Sequence, residues 1–137
     1  MQKMALTDAL SELVDNLKSS LNFRDLQIVE LLFYCHLSNR DVAKIMGMVE
    51  RAIAVIKHRS LKQIRERIAN TRLPADPSSE EFEHLLTDIW KIQRFSCPKR
   101  STIGAYLLGT LDDQWHKYVD FHINTPVSYT HLRAHET

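Results

Sequence analysis

The sequence predicts an all-α protein, with four helices up to residue 72 and a smaller helical segment beyond a linker. Three observations carry this prediction. Apolar residues recur at helical spacing in one segment after another. The chain has 44% hydrophobic residues but only three glycines and four prolines, enough for a core and too few breakers for disorder or a β-rich sandwich. The stretch from Ser38 to Glu66, SNRDVAKIMGMVERAIAVIKHRSLKQIRE, divides into a short helix, a tight turn and a long helix.

The first helix is expected from Leu6 to Ser19, with Leu6, Leu10, Leu13, Val14 and Leu17 on its apolar face and Thr7 near its start. Asn22 is a suitable cap for the second, Phe23 to Tyr34, where Leu26, Ile28, Val29, Leu31, Leu32 and Phe33 form a nearly continuous apolar run. Cys35 reads as a small buried residue, and His36 as the start of a loop. Ser38 and Asp41 have the spacing of a capping pair for the third helix, whose apolar face is Val42, Ile45 and Met46. Gly47 ends it, because glycine takes positive φ without penalty. Ala43 is small enough for a second helix to approach closely. That helix turns Ile53, Ile56, Leu61, Ile64 and Ile68 inward, with Lys57 near the inner face and its amine reaching out to water. Val49, just before it, supplies no capping oxygen.

At about 100° per residue, Arg51, Val55, His58 and Lys62 share the outward side of this long helix. Ala54 and Arg65 flank the stripe on one side and Arg59 on the other. Arg40 and Glu50, at the starts of the two helices, complete the candidate set. From Glu50 to Arg72 there are seven Lys or Arg against two Glu. A major groove about 12 Å wide admits a helix, and basic side chains beside it neutralise phosphates. Charge runs are routine on solvated helix faces as well. The helix-turn-helix pattern of Ala43, Gly47, Ile53 and Ile56 is what favours duplex DNA.

LNFRDLQIVELLFYCHLSNRDVAKIMGM, followed by HRSLKQIRE, resembles region four of the sigma-70 family of bacterial RNA polymerase sigma factors. His58, Arg59, Ser60, Leu61 and Lys62 match that family's closing helical run, and Ala43 and Gly47 match its turn. The resemblance covers residues 6–68 and implies a four-helix module that recognises the upstream (−35) element of double-stranded promoter DNA. It also implies contact with the β flap of core RNA polymerase. The chain departs from the pattern at Val49, where Ser or Thr is common, and at Ala54 and Ile56, where basic residues are common. The family's region two, which opens the promoter, is not expected before Leu6. The chain therefore reads as a fragment or a free-standing region-four protein, unable to initiate transcription alone.

Residues 1–72 are thus expected to form the DNA-binding domain, and residues 73–79, LPADPSS, a linker. Residues 1–74 carry twelve basic and eight acidic side chains, and residues 75–90 five acidic and none basic. The next helix, to about Gln93, has Glu80, Glu81 and Glu83 in its first turn and buries Phe82, Leu85, Leu86, Ile89 and Trp90. Its acids read more simply as a solvated face than as a phosphate mimic. A helix starting near Ser101 is expected to bury Ile103, Tyr106 and Leu107 and to close at Gly109. Asp112 caps a last helix carrying Trp115, Val119 and His122.

Residues 80–126 resemble a truncated zinc-binding domain of anti-sigma factors, with Cys97, Tyr106, Leu107, Gly109, Leu111 and His122 matching. Taken alone, Cys97 and His122 read as packing residues; the resemblance implies that they are ligands of an incomplete zinc site. The closing Cys-x-x-Cys is absent, with Pro126 and Tyr129 where it is expected. A structural zinc takes four ligands, so no metal is expected in this chain, and zinc is expected only in an untruncated protein. Residues 127–137, VSYTHLRAHET, resemble the translation of a transposon-end adaptor used in sequencing libraries. They are expected to be disordered and to pack against nothing, with His131 and His135 not serving as ligands. The natural protein is then expected to continue past Pro126 and to supply the two missing cysteines.

Two cysteines do not make a secreted disulfide framework. No apolar run approaches the roughly 18 residues of a membrane span, and no signal peptide precedes the first helix. A cytoplasmic protein follows. The seven histidines are scattered, and no nucleophile motif or phosphate-cradling glycine loop is present, so no enzyme is expected. The function expected is promoter recognition in transcription initiation. The alternatives are a helix-turn-helix regulator that binds operators without polymerase, and an interaction module in which residues 79–125 restrain a sigma or polymerase partner.

Overall fold

In the computed structural model, residues 2–69, 80–95 and 97–124 are described, with side chains from Met4 onward, and every element they form is helical. Helix α1 spans Gln2–Ser19, beginning four residues before the expected Leu6. Leu6, Ala9, Leu10, Leu13 and Val14 are buried along one face, with Leu17 half-buried. The chain reverses at Leu21, which takes φ 57°. Asn22 then caps α2 (Phe23–Val29) by accepting a hydrogen bond from the Asp25 amide.

From Glu30 to Tyr34 the helix continues as one π-helical turn, closed by the Cys35 amide on the Glu30 carbonyl at 3.0 Å. The boundaries expected for this helix therefore hold, but its last turn is wider. All five of its residues are buried. That burial needs neighbours on every side, and later helices supply them. Cys35 itself is half-buried rather than enclosed.

Helix α3 (Asn39–Met46) starts at Ser38, whose hydroxyl accepts from the Asp41 amide at 3.2 Å. It ends at Gly47, in the left-handed conformation at φ 66° and ψ 35°. Only Val42 and Ala43 are buried. Ile45, expected on the apolar face, is 39% exposed, and Met46 is half-buried, because so short a helix covers the core with one narrow strip. Helix α4 (Glu50–Arg67) follows, with Ile53, Ile56, Ile64 and Ile68 buried and Leu61 half-buried. Val49 precedes α4 without a side-chain cap.

Helix α5 (Glu80–Gln93) buries Phe82, Leu86, Thr87, Ile89 and Trp90 against the π turn and α1, with Leu85 half-buried. Helices α6 (Arg100–Leu108) and α7 (Asp113–Ile123) close the described chain; Gly109 ends α6 at φ 72°, and Asp112 caps α7. Helix α6 corrects an expectation, since none of its residues is buried. Leu107 is 76% and Leu108 80% exposed, because among the described residues α6 packs chiefly on α7 and not on the core.

Residues 80–124 share the core of the first four helices. Tyr118 of α7 stacks on Phe23 at 5.0 Å, Trp115 meets Phe23 edge-on at 4.9 Å, and Trp90 of α5 stacks on Tyr34 at 6.1 Å. Such aromatic pairs add about 0.5–1.5 kcal/mol each beyond the area they bury. The expected linker, 73–79, and the tail, 127–137, lie outside the described residues. Among the described residues no helix is long and apolar enough to cross a membrane.

Candidate nucleic-acid interface

Burial of Ile53, Ile56, Ser60 and Ile64 fixes the rotation of α4 about its axis and so decides what faces water. Arg51, Ala54, Val55, His58 and Lys62 are all exposed, with Val55 at 59%. Glu50 at the start of α4 and Arg40 in the first turn of α3 are exposed too. The sequence-derived stripe is therefore one contiguous solvent-facing strip. Lys44 of α3 is a further exposed cation that the stripe on α4 did not include.

The basic residues of α4 divide into two groups. Three are held by carboxylates: Arg59 by Asp25 at 2.6 Å, Lys57 by Glu83 at 2.6 Å, and Arg67 by Glu12. Among the described residues Arg51, Lys62 and Arg65 form no ion pair. Lys57, expected to reach out to water, instead joins α4 to the acidic first turn of α5. Arg59 is intermediate in character. Its side chain is 53% exposed, yet one nitrogen is committed to a carboxylate that is itself buried. Asp25 also receives Arg24 at 3.1 Å and the Asn22 amide nitrogen at 3.1 Å. Charge-assisted bonds of this kind satisfy a buried carboxylate.

The structure brings Cys97 and His122 together beside Glu30 in the π turn. His122 Nδ1 is 3.6 Å from Glu30 Oε2, Tyr118 donates to Glu30 Oε1, and Cys97 Sγ is 3.9 Å from the Tyr34 hydroxyl. Burial works against the imidazolium of His122, but the Cys97 thiol and the Glu30 carboxylate outweigh it and raise its pKa to about 9. Burial and the neighbouring Cys97 push the Tyr34 hydroxyl up. Lys18 is pulled down by burial and donates to the Phe95 carbonyl at 3.1 Å. Two ligands fall short of the four that a structural zinc takes, and among the described residues no third metal-binding side chain joins Cys97 and His122 at ligand spacing. Half-buried Cys97 and buried His122 stand in a polar contact with Tyr34 and Glu30.

Sequence reasoning missed Asp25 and Glu30, the two carboxylates that organise these contacts. Glu30 lies inside an apolar run and Asp25 at its start, and neither position hints at the distant partners, Arg59 for Asp25 and Tyr118 and His122 for Glu30. Comparison with protein-family models, with curated proteins and with solved structures found no match to this chain.

Proposed function

We propose that the chain is a DNA-binding module of transcription initiation, acting in the cytoplasm as sigma region four does. In this reading α3 and α4 form a helix-turn-helix, and α4 enters the major groove of a promoter's upstream element. The observation that supports it best is the exposed strip of Arg51, Val55, His58 and Lys62 on a helix whose opposite face is buried. Arg51 and Lys62 are placed to neutralise phosphate, Val55 to meet a thymine methyl, and His58 to reach a base edge. Arg40 adds a backbone contact from α3. Fluorescence anisotropy with duplexes that carry or lack such an element, across a salt series, tests the reading. Equal affinity for all duplexes combined with no retention of core polymerase or its isolated β flap would refute it.

A second reading rests on α6. Ile103, Leu107 and Leu108 on this helix are exposed, an apolar surface of the kind that marks interaction sites. Residues 80–124 would then hold a sigma or polymerase partner while the first four helices act as scaffold. Retention of a partner that survives Lys62→Ala but not Leu107→Asp favours this reading over the first.

A further inference from the structure

Away from the α4 strip, three side chains converge where the chain enters α3. His36 lies in the turn after the π-helical segment, and Glu80 and His84 lie one helical turn apart in α5. One potential ligand atom from each falls within 4.8 Å of the other two. The two imidazoles stack at 4.4 Å with their planes 29° apart. We propose that His36, Glu80 and His84 form a site for a divalent transition metal such as zinc, separate from the Cys97–His122 pair.

The chemistry of the donors selects the ion. Two imidazoles and one carboxylate suit zinc, cobalt, nickel or copper, whereas magnesium and calcium favour all-oxygen sets. Glu80 and His84 are four residues apart, which on a helix puts both on one face. His36 comes from a different element, and its position is set by its backbone. It takes φ 57°, a conformation uncommon outside glycine. Leu37 fixes the following step by donating to the Leu31 carbonyl at 3.0 Å.

An outer contact orients the His36 ring. Its Nδ1 is 3.5 Å from Thr87 Oγ1, and that hydroxyl donates to the Phe33 carbonyl. The same hydroxyl also has the Glu83 carbonyl at 3.1 Å to donate to, so a His36 ring held on Thr87 through Nδ1 would have Nε2 left for a metal. Metal-binding histidines are commonly oriented through their other nitrogen in this way. His84 and Glu80 are exposed and His36 half-buried, so a fourth position stays open to water. A bound ion would pin the first turn of α5 to the turn before α3.

The test is titration of the full chain with cobalt(II) and zinc(II), following cobalt visible absorption and binding heat. His131→Ala/His135→Ala removes the other closely spaced histidines, and Cys97→Ser the other candidate ligand. We expect one ion per chain in all these backgrounds, with a cobalt spectrum of nitrogen and oxygen ligation and no thiolate band. His84→Ala, and His36→Asn, which tolerates the left-handed backbone, should each weaken binding by roughly 100-fold, and Glu80→Gln by about tenfold. Far-UV circular dichroism of these variants checks that the fold is kept. An absence of binding, unchanged affinity in the folded His84 and His36 variants, or loss with Cys97→Ser or the double His131/His135 variant overturns the proposal.

Discussion

Arg59 of α4 donates to Asp25 of α2 at 2.6 Å, across a pair in which the carboxylate is buried and the guanidinium stays half in water. This bond ties the candidate recognition helix to the helix beneath it. It also divides the basic residues of α4: Arg59 is tied to the fold, whereas Arg51 and Lys62 are exposed and form no ion pair among the described residues.

Arg59→Ala should accordingly destabilise the fold by about 1 kcal/mol, because Asp25 loses one of its charged donors and keeps Arg24. Lys62→Ala should leave stability within about 0.5 kcal/mol of the parent. Urea denaturation midpoints of the two variants give the comparison, and equal midpoints would contradict the division of roles.

On duplex DNA the order is reversed. Arg51→Ala and Lys62→Ala should each flatten the salt dependence of binding by about one unit of log–log slope, one lost phosphate contact apiece. Arg59→Ala should change that slope less, since its guanidinium is already shared with Asp25. Anisotropy titrations between low and moderate salt read the slopes directly.

Val49 leaves the start of α4 without a side-chain acceptor although its backbone is already extended at φ −76° and ψ 146°. Val49→Thr should raise stability by about 1 kcal/mol through a new cap. A thermal midpoint unchanged or lowered would show that the α4 amides are satisfied some other way.

His122 makes stability depend on pH. Its folded pKa, about 9, lies above the value of about 6.5 expected when unfolded. Its contribution is therefore full below the unfolded value and is lost as pH rises through the folded one. The denaturation midpoint, measured in the presence of a chelator, should fall between about pH 6.5 and 9. His122→Asn should remove most of that slope.

Trp90 and Leu86 of α5 lie in the same core as α1 and the π turn. Leu86→Ala should cost about 2–5 kcal/mol and weaken the first four helices together with α5. A single cooperative transition by tryptophan fluorescence and by far-UV dichroism is the expected outcome. Two separated transitions would mean that residues 80–124 fold apart from the rest.

Local rules determined a good deal of this protein in advance. The caps at Asn22, Ser38 and Asp112, the helix ends at Gly47 and Gly109, and the inward set Ile53, Ile56 and Ile64 all follow from side-chain chemistry within one turn of helix. The exposed strip on α4 follows too, since a helix with one buried face fixes the other. What tertiary structure alone decided was which polar and ionisable side chains meet. Asp25 with Arg59, Lys57 with Glu83, Glu30 with His122 and Tyr118, and His36 with His84 are pairs 26 to 92 residues apart in the chain and joined only by packing. Helical periodicity tells a residue's face but not the neighbour across it. For that reason Ile45 and Leu107, apolar and correctly phased, are exposed: among the described residues no other helix covers them.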